Sequence, residues 1–362
     1  MKVLIIQQKM IGDVLTSSIL FEALKEKYPA FELHYLINTH TLPVVEHNPF
    51  IDRIILFDPS IHGKPAGMLP LLKKIKKQKY DIVIDVYAKI STAMITAFSG
   101  AKQRISYYKK YTSGAYTHKY ELASKVKTHA GLAIENRMLL LQAISPDFPL
   151  ALKPKIYLTR SEKTEAERQL KNAGISRNQP LFMINVLGSS PEKTYPLKYM
   201  TQILNRIVEE MPNAQLLFNY MPSQEREAKK LYILCPEEVQ KHIFYDVYEK
   251  NLRNFISISS LCDAVIGNEG GGNNIAKALN IPTFSIFSPW IKKEAWSTYE
   301  VGTVSTSVHL ADHRPEILQN LSKKEIVKKS TEFYELLEPD LILASLSKFL
   351  KEITAAGKTG TK

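Results

Sequence analysis

The chain has 362 residues, 44% of them apolar and 23% charged, with 48 Lys+Arg against 36 Asp+Glu for a formal charge of +12. That balance excludes a wholly disordered chain, and the scattered 15 Gly and 19 Pro exclude collagen-like and low-complexity architectures. Two cysteines, Cys235 and Cys262, cannot build a disulfide framework or a four-cysteine zinc site, and the length suits two domains.

In chain order, the first half alternates β-branched runs with helical spacing. A strand is expected at 2–7, then a helix at 13–28 with Leu15, Ile19, Leu20, Ala23 and Leu24 on one side. Further strands are expected at 31–37, 53–57 and 81–86, with a helix at 68–78 whose second half is rich in lysine. Residues 107–119 (YYKKYTSGAYTHK) read as a polar aromatic–basic loop, 128–143 as a helix, and the proline-rich 145–155 as an interdomain linker. The second half repeats the alternation, with strands at 181–186, 214–219, 264–266 and 283–287 and helices at 197–210, 253–261 and 273–279. Helices at 323–336 and 341–353 follow, and the tail at 355–362 is expected to fray. Such alternation predicts an α/β chain of two Rossmann-like halves, facing each other across a cleft, with parallel sheets in right-handed βαβ units. The domains are expected at 1–155 and 156–335, with a C-terminal helix and tail at 336–362.

Charge is unevenly placed. Residues 1–155 hold 22 Lys+Arg and 12 Asp+Glu, so this half carries +10, whereas 156–362 holds 26 and 24. The first half is therefore expected to meet an anion: nucleic acid, an acidic lipid surface or a phosphorylated substrate. No stretch approaches the ~18 apolar residues that span a bilayer, and the apolar run at 3–6 is too short for a signal-peptide core. A soluble or peripheral protein in a reducing compartment is expected.

Three segments can carry chemistry. The turn after the first strand reads Gln7-Gln8-Lys9-Met10-Ile11-Gly12-Asp13. It is not a GxGxxG fingerprint; Gly12 permits a tight bend, and Asp13 is either a helix N-cap or a carboxylate able to take a proton from an acceptor hydroxyl. The segment 267–279, GNEGGGNNIAKAL, leads a strand through three glycines into a helix, and the free amides at that helix start suit a diphosphate. A flexible turn is the plain alternative there, and Glu269 suits sugar or ribose hydroxyls instead of phosphate. In 187–196, LGSSPEKTYP, Gly188, Ser189 and Ser190 offer donors, and Lys193 is either a surface lysine or a mobile charge for a leaving phosphate.

Together these segments resemble glycosyltransferase family 9, the bacterial heptosyltransferases of the lipopolysaccharide inner core. The resemblance is carried by the opening strand with IGDVL and LKEKYP, by HNPFIDRII at 47–55, by GSSPEKTYP at 188–196, where Tyr195 replaces a Trp, and by GNEGGGNNIAKALNIPTFSIFSPW at 267–290. It covers about residues 1–315 and implies a GT-B fold, with an N-terminal acceptor domain and a C-terminal domain for an ADP-heptose donor. It also implies inverting transfer without a bound metal or other cofactor; the sequence has no Asp-x-Asp motif. Asp13 matches the general base and Lys193 the lysine on the donor phosphates, with Gly188, Ser189 and Ser190 beside it. Glu225 matches the acidic residue near the ribose. The family's Asp-Thr-Gly-x-x-His reads Glu269-Gly270-Gly271-Gly272-Asn273-Asn274, which loses a threonine hydroxyl and a histidine. Either the donor differs or the glycine backbone substitutes for those contacts.

The acceptor implied is an anionic glycolipid of the lipid A–Kdo type, met by Gly12, Lys73, Lys74, Lys102, Arg104, Lys109 and Lys110. A solvated helix face is the plain reading of the 73–79 lysines. A cytoplasmic protein is implied, in contact with the cytoplasmic face of the inner membrane. The competing readings are a nucleotide-sugar epimerase or hydrolase, and a non-catalytic module binding nucleotide or glycolipid; no recognised motif supports nucleic-acid binding.

Overall fold

The computed structural model describes residues 1–300 and 304–359. The chain forms two compact units, Met1–Tyr157 with Glu294–Thr298, and Leu158–Lys293 with the described part of Tyr299–Lys362.

The first unit is a six-stranded parallel sheet in the order β3-β2-β1-β4-β5-β6. Its strands are β1 (Lys2–Ile6), β2 (Glu32–Asn38), β3 (Arg53–Phe57), β4 (Ile82–Asp85), β5 (Gln103–Tyr107) and β6 (His118–Tyr120). Val3, Leu4, Ile5 and Ile6 are all fully buried, as a central parallel strand covered on both faces requires. The connecting helices are α1 (Ile11–Ser17), α2 (Ile19–Lys27), α3 (Pro59–His62), α4 (Pro65–Lys77), α5 (Ile90–Phe98) and α6 (Leu132–Leu139).

The second unit holds a five-stranded parallel sheet, β11-β10-β9-β7-β8, built from β7 (Leu181–Asn185), β8 (Gln215–Asn219), β9 (Ala264–Asn268), β10 (Thr283–Ile286) and β11 (Thr306–Val308). A single parallel bridge from Leu216 to Ile243 extends the β8 edge. Its helices are α7 (Arg160–Asn172), α8 (Leu197–Glu210), α9 (Glu225–Leu234), α10 (Glu237–Gln240), α11 (Leu252–Ser259) and α12 (Gly271–Ala278). After α13 (Lys293–Trp296) come α14 (Leu310–His313), α15 (Lys323–Lys328), α16 (Ser330–Glu335) and α17 (Pro339–Thr359). Tyr334, Leu337, Ile342, Leu346 and Phe349 return to pack on the core of the second unit. Among the described residues no helix is long and apolar enough to cross a membrane.

Each sheet reverses its strand order once, between β1 and β4 and between β7 and β9. Ligands of open α/β sheets bind beyond the carboxyl ends of strands at such a switch point.

Several elements differ from expectation. The helix expected at 13–28 breaks at Ser18, because Thr16, Ser17 and Ser18 turn their hydroxyls back onto the carbonyls of Gly12, Asp13 and Leu15. The loop expected at 107–119 ends in β6, and the helix expected at 128–143 starts only at Leu132, after Gly131 at φ +82°. The segment 323–336 is two helices, interrupted at Lys329, whereas α17 runs from Pro339 to Thr359. The expected fraying at 355–359 is not seen in the backbone, which is helical, and 360–362 lie outside the described residues.

Candidate functional site

The first unit places Asp13 at the third position of α1, beyond the carboxyl end of β1. The residue before the helix is Met10, so Asp13 is not the N-cap; its Oδ2 accepts from the Met10 N–H at 3.3 Å. Its Oδ1 pairs with Arg137 Nη2 at 2.6 Å. Arg137 comes from α6 and also donates to Ser17 Oγ at 2.9 Å and to the Ala133 carbonyl at 2.6 Å. A buried arginine thus holds one oxygen of a part-exposed carboxylate in a fixed direction.

Asp85, at the carboxyl end of β4, is fully buried, and burial pushes its carboxyl up to about 6. The Ala88 N–H and the Tyr116 hydroxyl oppose that rise, donating to it at 2.9 and 2.7 Å. Burial also lowers Lys109, whose Nζ donates to the Ala88 carbonyl at 2.9 Å.

The basic candidates divide by edge. Gln78, just after α4, accepts from Lys2 Nζ at 3.3 Å, so α4 ends beside the start of β1. Exposed Lys73 and Lys74, in the second half of α4, therefore lie toward the amino edge of the sheet. Lys102 precedes β5 and Arg104 is its second residue, at the same edge. The Arg104 guanidinium is committed to the carbonyls of Ala115 and Ala101, at 2.8 and 2.9 Å. Only Gly12, Lys109 and Lys110 share the carboxyl edge with Asp13.

In the second unit the candidates gather on the carboxyl edge at the β7/β9 switch point. Lys193 closes a 3-10 turn, Pro191–Lys193, and its Nζ sits over the Trp290 ring at 5.1 Å. Gly188 is required by close approach, because a Cβ there would collide with the Lys193 carbonyl. Gln224 Nε2 donates to the Gly188 carbonyl at 2.6 Å and ties this loop to the start of α9, where Glu225 is exposed. Ser189 is exposed and Ser190 half-buried. Tyr195, by contrast, is a core residue: fully buried, its hydroxyl donates to the Leu337 carbonyl at 2.6 Å.

Glu269 follows β9. Its Oε2 is enclosed without a hydrogen-bond partner; burial pushes the carboxyl up, while Lys193 and Lys277 pull it back. Trp290 Nε1 and the Tyr334 hydroxyl are likewise buried without a partner. The three glycines play different parts. A Cβ at Gly272 would lie 2.7 Å from Asn185 Oδ1, whereas one at Gly270 would meet nothing within 4 Å. Asn185 belongs to a buried amide ladder, donating to Asn273 at 2.7 Å and accepting from Asn219 at 2.7 Å; Asn273 in turn donates to Ser285 at 2.6 Å. The Asn273 side chain is thus spent on the sheet, and Asn274 Nδ2 reaches back to the Gly270 carbonyl at 3.4 Å. Gly271, Gly272 and Asn273 open α12, and first-turn amides have no intrahelical acceptor, so they present an anion site.

Sequence reasoning missed Arg137, Asp85 and Tyr116. The signal for Arg137 was present: a Glu-Asn-Arg run inside the otherwise apolar 132–141 segment implies charge turned inward. A small cleft of the first unit, bordered by Lys127, Glu135 and Phe148, contains none of the candidates.

The model of glycosyltransferase family 9 (heptosyltransferase) matches residues 68–317. Lipopolysaccharide heptosyltransferase 1 of Campylobacter coli is 21% identical over 294 residues, 79% of this chain and 84% of that protein. The family 9 glycosyltransferase of Veillonella parvula DSM 2008 superposes with a TM-score of 0.73 at 16% identity, over 92% of this chain and 97% of its own. E. coli ADP-heptose lps heptosyltransferase II gives 0.67 at 15% identity, over 93% and 99%. These structural likenesses establish the fold as GT-B, two Rossmann-like domains in one chain. The chain belongs to glycosyltransferase family 9, the heptosyltransferases, and is a glycosyltransferase.

Proposed function

We propose that this enzyme transfers heptose from ADP-heptose to an acidic inner-core glycolipid, inverting the anomeric centre. The observation that carries the reading is the content of the two switch points. One presents the Asp13 carboxylate, oriented by Arg137; the other presents Lys193 and the amino end of α12. Inverting transfer needs these two halves, a base for the acceptor hydroxyl and positive charge for the leaving diphosphate.

In this mechanism Asp13 removes the acceptor proton as the hydroxyl oxygen attacks the anomeric carbon. Lys193 and the amides of Gly271–Asn273 take up the charge that develops on the departing ADP. Glu225 receives ribose hydroxyls, and Glu269 receives those of the sugar. The open space at Gly270 lets the donor approach the backbone where the family carries a threonine. Relatives named for lipopolysaccharide and for ADP-heptose support both the donor and the acceptor class. The acceptor domain's excess of positive charge suits a phosphorylated glycolipid at an anionic membrane surface.

The test is a thermal-shift panel of ADP-, GDP-, UDP- and CMP-sugars. Stabilisation by ADP species alone supports the reading; preference for UDP-sugars contradicts it.

A further inference from the structure

The carboxyl edge of the first sheet holds more polarity than the Asp13–Arg137 pair uses. Gln8 lies two residues beyond β1, only 5% exposed, and its Nε2 has no hydrogen-bond partner. Its Oε1 accepts from Ser91 Oγ at 3.3 Å, which sets the carboxamide against the first turn of α5. The carbonyl end of the amide is therefore occupied and the donor end is free. α5 is nine residues long, and its first-turn amides lack intrahelical acceptors and carry the positive end of the helix dipole. Around this helix end the open donors are an amide N–H, backbone N–H groups and the ammonium of exposed Lys89, the residue before α5; exposed Lys110 follows Lys109, whose Nζ bonds the Ala88 carbonyl.

The turn that presents this helix end is fixed from several sides. Asp85 accepts from the Ala88 N–H and the Tyr116 hydroxyl. Ser106 Oγ donates to the Asp85 carbonyl at 2.6 Å, and Lys109 donates to the Ala88 carbonyl. Ala88 is fully buried at φ +50°, a left-handed conformation that alanine holds only where its surroundings impose it. A braced, strained turn at the β1/β4 switch point, beside an unpaired buried donor, has the features of a preorganised ligand site.

We propose that Gln8 Nε2 and the amino end of α5 form a subsite for an anionic group, carboxylate or phosphate, on the acceptor sugar. The inference rests on the acceptor reading above and adds the residues that recognise the acidic group. Gln8 is then a positioning residue: it holds the acceptor so that the reacting hydroxyl meets Asp13.

The test is equilibrium binding, without donor, of a lipid A-type glycolipid bearing a carboxylated sugar, in detergent micelles. Gln8→Met keeps the shape of the side chain and removes the donor; Gln8→Glu adds a like charge. Ser91→Asp places a carboxylate at the helix amino end, which favours the helix but repels an anionic ligand. Gln8→Met should weaken binding roughly tenfold, as loss of a charge-assisted hydrogen bond does, and the two acidic variants should weaken it further. ADP binding and the melting temperature should stay at wild-type values in at least Ser91→Asp, which separates the effect from misfolding. The Gln8→Met deficit should vanish with the carboxyl-reduced glycolipid if a carboxylate is bound, or with the dephosphorylated one if a phosphate is. A deficit that persists with both, or variants that bind like wild type, overturns the subsite while leaving the acceptor class standing. A wild-type protein that binds no such glycolipid removes both.

Discussion

Arg137 Nη2 meets Asp13 Oδ1 at 2.6 Å across 124 residues of sequence, so α6 decides where the proposed base points. The same guanidinium holds Ser17 and the Ala133 carbonyl, which leaves it little freedom to turn. Lysine keeps the charge, but its donors all sit on one nitrogen, whereas Arg137 reaches its three partners from three separate nitrogens. We predict that Arg137→Lys lowers kcat by about tenfold with donor affinity unchanged, whereas Asp13→Asn lowers kcat by about 10²–10⁴-fold. Steady-state kinetics with calorimetric ADP titration separates the two terms. Full activity in Arg137→Lys would show that the pair serves the fold alone.

Lys193 supplies the mobile charge of the donor half. Its removal in Lys193→Ala is predicted to lower kcat by about 10²–10³-fold, the range seen for one lost stabiliser of developing charge. Because protein groups carry that charge in this mechanism, EDTA should leave turnover unchanged. Loss of activity in EDTA, restored by Mg²⁺ or Mn²⁺, would reassign the role of Lys193.

The glycines at 270 and 272 should respond differently to a methyl group. Gly272→Ala drives a Cβ to 2.7 Å from Asn185 Oδ1, an atom already fixed by the amide ladder, and should cost about 1–3 kcal/mol. Gly270→Ala meets open space and should melt like wild type, yet raise the donor KM if the donor approaches this backbone. A thermal melt of each variant, paired with donor titration, checks both halves of the statement.

Asp85 gives a pH signature. Its folded carboxyl lies at about 6, above the ordinary carboxylate value, so between about pH 4 and 6 the folded state keeps a proton that the unfolded chain releases. Stability from this group is fully present below that window and is lost as pH rises through it, a cost on the order of 3 kcal/mol at neutral pH. Asp85→Asn can still accept from the Ala88 N–H and does not ionise. Its melting temperature should gain on wild type from about pH 4 to 6 and level off above that; parallel curves would mean that Asp85 does not titrate in that range.

The sheets were legible because each central parallel strand is a short, unbroken apolar run, as at 3–6 and 82–84. β5 (QRISY) and β6 (HKY) were not, since polar residues interrupt β5 and β6 is a three-residue edge strand, so neither carries such a run. Asp13, Lys193 and the glycine segment could be found because each lies in the segment that leads from a strand into the next helix. Arg137 could not be paired with Asp13, because nothing local announces a partner 124 residues away. The lysines of α4 show the opposite limit: their charge is plain in sequence, but sheet polarity sets them on the edge away from Asp13. Which edge a residue occupies depends on the direction in which its helix runs, and composition is blind to that.

The most direct measurement is a transfer assay with ADP-heptose and a carboxylated, phosphorylated lipid A-type acceptor, following ADP release and product mass together. ADP should appear only when acceptor is present, in step with a product heavier by one heptose. ADP-heptose consumed equally without acceptor, or heptose transfer supported only by a UDP-sugar, would contradict the account.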